Sequence, residues 1–503
     1  MAVDKIVGIE TEFGIMVRGA ADWNPVSASS MLINAYVGSN LDYNADRPKP
    51  VAWDFIDESP GSDAREASAP SFSMAPEVET HLVNAVLTNG ARYYVDHAHP
   101  ELSTPECRSA LSLVRFDRAA EFILIDSMRA VGQSLGPGQE IIIYKDNSDR
   151  KGNAYGCHEN YLLDRNLPFG QIIVAATTHF VTRQIFTGSG KVGSELPGVT
   201  RSDVPYQLTQ RAEHFEEEVG LETTLKRPIV NTRDEPHADA QKYRRLHVIA
   251  GDANMSQVAT FLKVGTSSII FAMLEDGMFD MDLALGTPVS SMHRVSHDLT
   301  LSETIPLADG RELTSLQVQW ELFTRATEWA ESRGLEAVGE ESGKLVLERW
   351  EQILAGLETD PMTLSSQLDW VAKKRLMEGF MNRHGCDWDD SRLSALDLQY
   401  HDLRPTKSLA AKVGLEKLVS DESAREAVTE PPSDTRAFFR GKCLQRFADS
   451  VIAANWDSIV FDTGDDPLRR VPMLEPARGT VEHVGSILDE SNTVTELLDR
   501  LGA

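Results

Sequence analysis

The chain has 503 residues, 41% of them hydrophobic and 25% charged, and its 49 basic against 77 acidic residues give a formal net charge of −28. That balance excludes non-specific nucleic-acid binding, which needs basic surface to displace counterions, and it disfavours an anionic membrane surface. The length leaves room for a large core and more than one domain, and the scattered Cys107, Cys157, Cys386 and Cys443 form no CxxC pair, so neither a disulfide framework nor a zinc knuckle is expected and a reducing cytoplasm is.

The opening Met-Ala-Val-Asp-Lys carries no signal-peptide pattern, and no apolar run reads as long enough to span a bilayer. A strand is predicted over residues 6–15, IVGIETEFGI. Side chains on a strand alternate between faces. Val7, Ile9, Phe13 and Ile15 therefore share an apolar face, while Glu10 and Glu12 stand on the other with only Gly8 and Gly14 around them. Two carboxylates so placed lie about 7 Å apart and, at an effective dielectric of about 20, repel by about 2 kcal/mol. A divalent cation with oxygen ligands is the natural partner of such a pair. The alternative is a solvated face with two surface glutamates.

A short helix is predicted over 27–36. Residues 42–76 then change in composition, with Pro48, Pro50, Pro60, Pro70 and Pro76 among many Ser, Asp and Ala, which reads as a long mobile loop. Trp53, Phe55 and Phe72 are unusual for a plain linker and suit a loop that docks when substrate binds. A helix over 77–87 ends at Asn89-Gly90, and a strand over 91–96 puts Arg92, Tyr94 and Asp96 on one face. Pro100 is expected to break that strand, and Pro105 to sit in the first turn of a helix starting near 103. His97 and His99 look like a metal pair, but on a continuing strand they face away from Asp96. A helix over 111–135 and a strand over 140–144 follow. A polar turn with Gly152 and Gly156 then leads into His158-Glu159-Asn160, a triplet able to ligate metal or hydrogen-bond a ligand.

Gly188-Ser189-Gly190-Lys191-Val192-Gly193 matches GxGxxG, but Leu196-Pro197-Gly198 follows in place of a helix, so a dinucleotide site is rejected. Residues 220–247 are rich in basic side chains for so acidic a chain: Lys226, Arg227, Arg233, His237, Lys242, Arg244, Arg245 and His247. A local phosphate or carboxylate site is one reading, and a salt-bridged surface is the other. A helix over 256–274 precedes a mostly helical region with amphipathic runs over 315–332, 344–357, 364–383 and 409–428. Glu430-Pro431-Pro432 marks an expected boundary between a catalytic domain, 1–430, and a small C-terminal domain, 431–503. The latter is expected to hold a helix over 435–453, strands over 456–461 and 470–474, and a final helix with a capping box from Thr493 to Glu496.

One constellation joins these pieces. Glu10, Glu12, Glu101 and His158 could hold divalent cations, Arg92, Arg233 and Arg245 could hold phosphates, and Asp96 sits between the two groups. Metal, nucleotide phosphate and a spare carboxylate form an active site for phosphoryl or acyl transfer, and spacing alone does not say which.

The stretches IVGIETEFGI, NGARYYVDHAHPELSTPE, KGNAYGCHENYL, VGLETTLKRPIVNTRDEPHADAQKYRRLHVIAGDANMS and NWDSIVFDTG resemble the Pup ligase/depupylase family, relatives of glutamine synthetase and the glutamate–cysteine ligases. VDHAHPE and the long early loop look like its deamidase/depupylase branch more than its ligase branch. The resemblance implies an α+β fold, with a large glutamine synthetase-like domain whose curved antiparallel sheet is flanked by helices, plus the small C-terminal domain. It implies ATP with Mg2+ at one end of the sheet and a groove for the C-terminal part of Pup. The implied reactions are hydrolysis of the side-chain amide of Pup's C-terminal glutamine and of the isopeptide bond in pupylated proteins, with nucleotide as a cofactor that is not consumed each turnover. Carried over by residue, Glu10, Tyr94 and Glu101 match metal-binding positions, His158 and His247 complete the shell, and Glu12 is a further ligand. Arg92, Thr104, Arg245 and Trp456 match nucleotide contacts, joined by Arg233 from the basic stretch, and Asp96 matches the catalytic aspartate. Pup and pupylated proteins are the expected partners, in the cytoplasm, with a monomer as the working expectation. The runner-up is an ATP-consuming ligase joining Pup to lysine; the third reading is a non-catalytic Pup-binding module, which would gain nothing from clustered acids.

Overall fold

The computed structural model describes residues 1–20, 22–39, 51–56, 58–59, 61–65, 83–464 and 467–502. Its frame is one ten-stranded sheet. In chain order its strands are β1 (Val7–Glu12), β2 (Ala52–Trp53), β3 (Asn84–Val86), β4 (Arg92–Asp96), β5 (His99–Ser103), β6 (Cys157–Asp164), β7 (Tyr243–Gly251), β8 (Val451–Ala454), β9 (Ser458–Phe461) and β10 (Arg469–Pro472). In space they run β7-β6-β1-β5-β4-β3-β2-β8-β9-β10. Every neighbouring pair is antiparallel except β2 and β8. The expected α+β architecture with a large antiparallel sheet and packed helices is therefore present.

The alternation of β1 explains which face carries chemistry. Val7 and Ile9 point into the main core, where they join Val248 of β7 with Phe116, Phe261 and Trp350 of three helices. Glu10 and Glu12 are left on the opposite face. Two of the core helices, Ala110–Val131 and Gln257–Glu275, start at serines whose hydroxyls accept a first-turn N–H: Ser109 from Ser112 and Ser256 from Ala259. Gln257–Glu275 is long and apolar enough to cross a membrane, contrary to the sequence reading, but it is buried inside the protein along almost its whole length and serves as a core helix.

Several expected elements differ. The 6–15 strand is two: β1 ends at Glu12, and Gly14–Arg18 pairs instead with Glu140–Tyr144. The break lies where Phe13 N–H turns to Pro100 O at 3.0 Å. Gly14 is needed there, since a Cβ would lie 2.5 Å from Tyr155 Oη and 2.6 Å from Asp146 Oδ1. Pro100 does not break a strand. It lies in β5 opposite Val95, and pairing with β1 stops one position earlier, at Glu12–Glu101, so no rung is asked of its missing N–H. The expected helix near 103 starts only at Ala110. Between β4 and β5 the turn is just His97-Ala98, with His97 at φ 51°, and it pairs Asp96 with His99. His99 therefore returns to the Asp96 face, contrary to the continuing-strand reading.

The last residues of the expected 77–87 helix form strand β3, with Ala85 and Val86 buried; 77–82 lie outside the described residues. The mobile-loop reading of 42–76 likewise falls partly outside them, at 42–50, 57, 60 and 66–76. In the described part, Ala52–Trp53 is hydrogen-bonded between β3 and β8. The 409–428 run holds two short helices, Ala410–Val413 and Asp421–Glu426, the first closed by Gly414 at φ 75°. The 435–453 helix covers Ala437–Arg446, and Val451–Ala454 leaves it to pair with β9 and β2. The hydrophobic cluster of the C-terminal segment, with Phe439, Leu444, Phe461 and Leu497, also takes in Val51, Trp53 and Val86 from the early chain.

Candidate active site

Residues opposite one another on antiparallel strands share a face, and the register across β4-β5-β1-β6-β7 decides the site. Glu10 lies opposite Ser103 on one side and His158 on the other, and Glu12 opposite Glu101. Tyr94 lies opposite Glu101, Arg92 opposite Ser103, and His247 opposite Asn160. Every one of these side chains is therefore on the face that β1 leaves polar.

Two groups able to hold a metal ion result. Glu10, His158 and His247 each bring a ligand atom within 4.8 Å of the others, and so do Glu12, Asp96 and Glu101. In the first, Glu10 Oε2 lies 3.6 Å from His158 Nδ1, and the His158 and His247 rings meet edge-on at 5.0 Å. Asn160 organises it: its Nδ2 donates to Glu10 Oε1 at 2.9 Å, while its Oδ1 accepts from Arg245 Nη1 at 2.6 Å and lies 3.2 Å from His247 Nδ1. Burial, then the Arg245 charge, hold the His247 pKa well below its ordinary value, so the ring is neutral, the form that ligates metal. Burial would raise Glu10, yet His158, 3.6 Å away, and the Arg245 charge hold it well below the carboxylate range.

The second group is all carboxylate. Burial pushes upward on Glu12, but His99, with Nδ1 3.4 Å from Glu12 Oε2, then His158 and the Gly156 N–H, which donates to Glu12 Oε1 at 2.7 Å, hold it at about 2. Glu101 behaves oppositely. Its burial, then Asp96, Glu12 and Glu10, push it well above the usual range. That mutual repulsion among three carboxylates is what a divalent cation placed between them would relieve, so the donor set fits a hard cation. Tyr94 hydrogen-bonds Glu101 from β4. Asp96 is the open member of the group, its side chain 37% exposed with His97 Nδ1 at 3.0 Å.

The arginines flank these groups. Arg92 is sandwiched between the Trp53 and Tyr94 rings, each 4.0 Å from its guanidinium carbon, and its Nε donates to Asn84 Oδ1 at 3.0 Å. Arg245 donates to Glu235 O at 2.7 Å and lies 3.9 Å from Glu10. Arg233 is held beside Asp63, its buried Nε without a partner among the described residues. Thr104 accepts from Ile9 N–H at 3.1 Å, and Trp456 packs edge-on against Trp53 at 5.2 Å. Thr104, Trp456, Arg245 and Glu10 together line one cavity.

Sequence reasoning missed several neighbours. His99 stacks on Tyr155 at 4.3 Å and approaches Glu12 to 3.4 Å; reading VDHAHP as a two-residue hairpin would have found it. Arg211 is buried, donates to Ile249 O at 2.5 Å, and has no carboxylate within ion-pair distance among the described residues. Burial, then Arg227, lower its pKa to about 10 against the pull of Glu12. Nothing in the pattern around Arg211 signals this. His237 and Arg436 also line the cavity.

Comparison with known proteins places this geometry. Residues 5–460 match the family described as Pup-ligase protein. The chain is 47% identical over 508 aligned positions to a depupylase of Acidothermus cellulolyticus, covering 99% of each chain. It is 44% identical to the Pup deamidase/depupylase of Mycolicibacterium smegmatis, covering 99% of this chain and all of the relative. It is similar in structure to the Pup ligase PafA in complex with ADP, with a TM-score of 0.72 and 32% identity over 81% of this chain and 89% of that one. By sequence over nearly its whole length and by fold, the chain belongs to the Pup-ligase protein family.

Proposed function

We propose that this protein is a nucleotide-dependent amide hydrolase that deamidates the C-terminal glutamine of Pup and cleaves the Pup–lysine isopeptide bond of pupylated proteins. The observation that carries this is Asp96, an exposed carboxylate within the Glu12–Glu101 group, in a chain 47% identical to a depupylase and 44% identical to a Pup deamidase/depupylase. Glu10, His158 and His247 would hold one divalent cation and Glu12, Glu101 and Tyr94 another, with Mg2+ the hard cation that suits the carboxylates. Such cations, when bound, would neutralise nucleotide phosphates and polarise a neighbouring carbonyl. Arg92 and Arg245, with Thr104 and Trp456, would bind the nucleotide; the ADP complex of the related ligase supports a nucleotide in this fold. Buried Arg211 and half-buried Arg233, each with an Nε that has no partner among the described residues, would take further anionic oxygens.

An amide is a poor electrophile, so the chain must bring a nucleophile to it. The Asp96 carboxylate attacks the amide carbon, and the C–N bond breaks. The amine, ammonia from glutamine or the lysine side chain from a conjugate, leaves with a proton taken from water. Water then opens the resulting anhydride, returning Asp96 and a glutamate. Asp96→Asn is expected to bind ATP as the parent does and to lose both hydrolyses. Intact-mass analysis of glutamine-ended Pup and of a Pup–lysine conjugate, each with Mg-ATP, makes the check. Normal turnover by that variant, or conjugate formation with ADP released one for one by the parent, would refute this reading.

A further inference from the structure

The cavity beside Glu10 is polar at one end and apolar at the other. At the polar end stand Glu10, Ser103, Thr104, Asn160 and Arg245. At the other, Ile6, Leu162, Pro236, Pro476 and Trp456 supply apolar lining against which an aromatic ligand can pack. Three polar side chains line the cavity beside these apolar ones: Glu106, Arg436 and His237. Arg436 is committed, with Nε on Glu106 Oε1 at 2.7 Å and Nη1 on Met473 O at 2.8 Å. His237 is not. Its nearest charged neighbour is Glu235, with Nε2 to Oε2 at 3.8 Å, beyond a hydrogen bond.

His237 is also held in a backbone conformation that side-chain-bearing residues avoid, at φ 46°. Strain of this kind persists where surrounding structure over-determines it, and it gathers at ligand clamps. The neighbouring Pro236 and Ala238 keep the segment packed, Ala238 in a small cluster with Ile6 and Leu162. The imidazole is neutral, because burial and then the Arg245 and Arg436 charges hold its pKa well below the ordinary value. The Glu235 carboxylate favours the proton on Nε2, which leaves Nδ1 as a lone-pair acceptor.

Resting on the nucleotide reading above, we propose that His237 is the residue that reads the nucleobase, accepting a hydrogen bond from the 6-amino group of adenine. Guanine presents an oxygen at the same position, and two lone pairs then face each other. A site built around one donor–acceptor match rejects the mismatched analogue because a buried polar group is left unpaired.

The test is nucleotide binding to the full chain with Mg2+, using ATP, GTP and dATP as probes. Asn tolerates a left-handed backbone but is too short to reach the base. His237→Asn is therefore expected to melt like the parent and to weaken ATP by about two- to tenfold, the worth of one neutral hydrogen bond, while GTP changes less than ATP does. His237→Gln, with a longer reach and an acceptor oxygen, is expected to restore part of the ATP preference. Equal weakening of ATP and GTP, or a change confined to the ATP-to-dATP ratio, overturns the proposal. If the parent binds neither ATP nor GTP, the nucleotide reading itself fails; if it prefers ATP and His237→Asn keeps that preference, this inference alone fails.

Discussion

At Gly156 the site depends on the lack of a side chain. A Cβ there would sit 2.1 Å from His158 Nε2 and 2.8 Å from Glu12 Oε1, so one methyl group would push on both metal-binding groups at once. The same residue's N–H holds Glu12. Gly156→Ala is therefore expected to keep the fold while weakening divalent-cation affinity by about ten- to a hundredfold, the usual effect of disturbing the groups that orient ligands. Activity measured against Mg2+ concentration checks this, and an unchanged Mg2+ dependence would remove Gly156 from the site. The pattern GNAYGCHENY marks a turn, but the distance from Gly156 to Glu12, 144 positions away in the chain, becomes visible only in the folded sheet.

Strand β2 is the element that changes the reading of the long early segment. Residues that look like loop by their prolines provide a two-residue strand that bridges β3 and β8, and Trp53 stacks on Arg92 while packing edge-on against Trp456. Burial of a tryptophan at 4% exposure predicts a loss of about 3–5 kcal/mol for Trp53→Ala, with weaker nucleotide binding because Arg92 loses one wall of its sandwich. Denaturant melts and ATP titration of the same sample measure both. Deleting the whole of 42–76 removes β2 with it and is expected to lower the melting temperature. A deletion that left the melt unchanged would show β2 to be dispensable to the sheet.

Over the whole molecule, Glu106 ties the strands of the first hundred residues to the last seventy. It pairs with Arg436 and Arg440, and Arg440 also donates to Gly90 O at 3.0 Å and to Trp456 O at 3.0 Å. Burial opposes the charge on Glu106, but the two guanidiniums hold its pKa at about 2, below the ordinary 4.5. A depressed carboxyl contributes stability that is complete above the unfolded-state pKa and is lost as pH falls toward the folded-state value. Glu106→Gln leaves two buried guanidiniums short of their partner and is expected to cost about 3–5 kcal/mol at neutral pH. The gap between parent and variant should stay constant above pH 4.5 and narrow below it. Urea melts across that range test the sign; a gap that widens on acidification would contradict it.

The sequence by itself determined the chemistry of the polar face. Strict alternation in IVGIETEFGI and RYYVD assigns Glu10, Glu12, Arg92, Tyr94 and Asp96 to their faces, because a strand offers only two directions. The long motifs that carry the family resemblance hold these same residues. Only the tertiary structure decided which of these side chains meet. That Asp96 joins Glu12 and Glu101, that His99 returns to the same face, and that Arg211 stands near them follow from hairpin parity and strand register, which are settled by pairing between segments far apart in the chain. Proline content misread the 51–65 stretch, and local composition misread β3 and β8, since a two- or three-residue strand takes its stability from the neighbours it pairs with and leaves no period of its own to read.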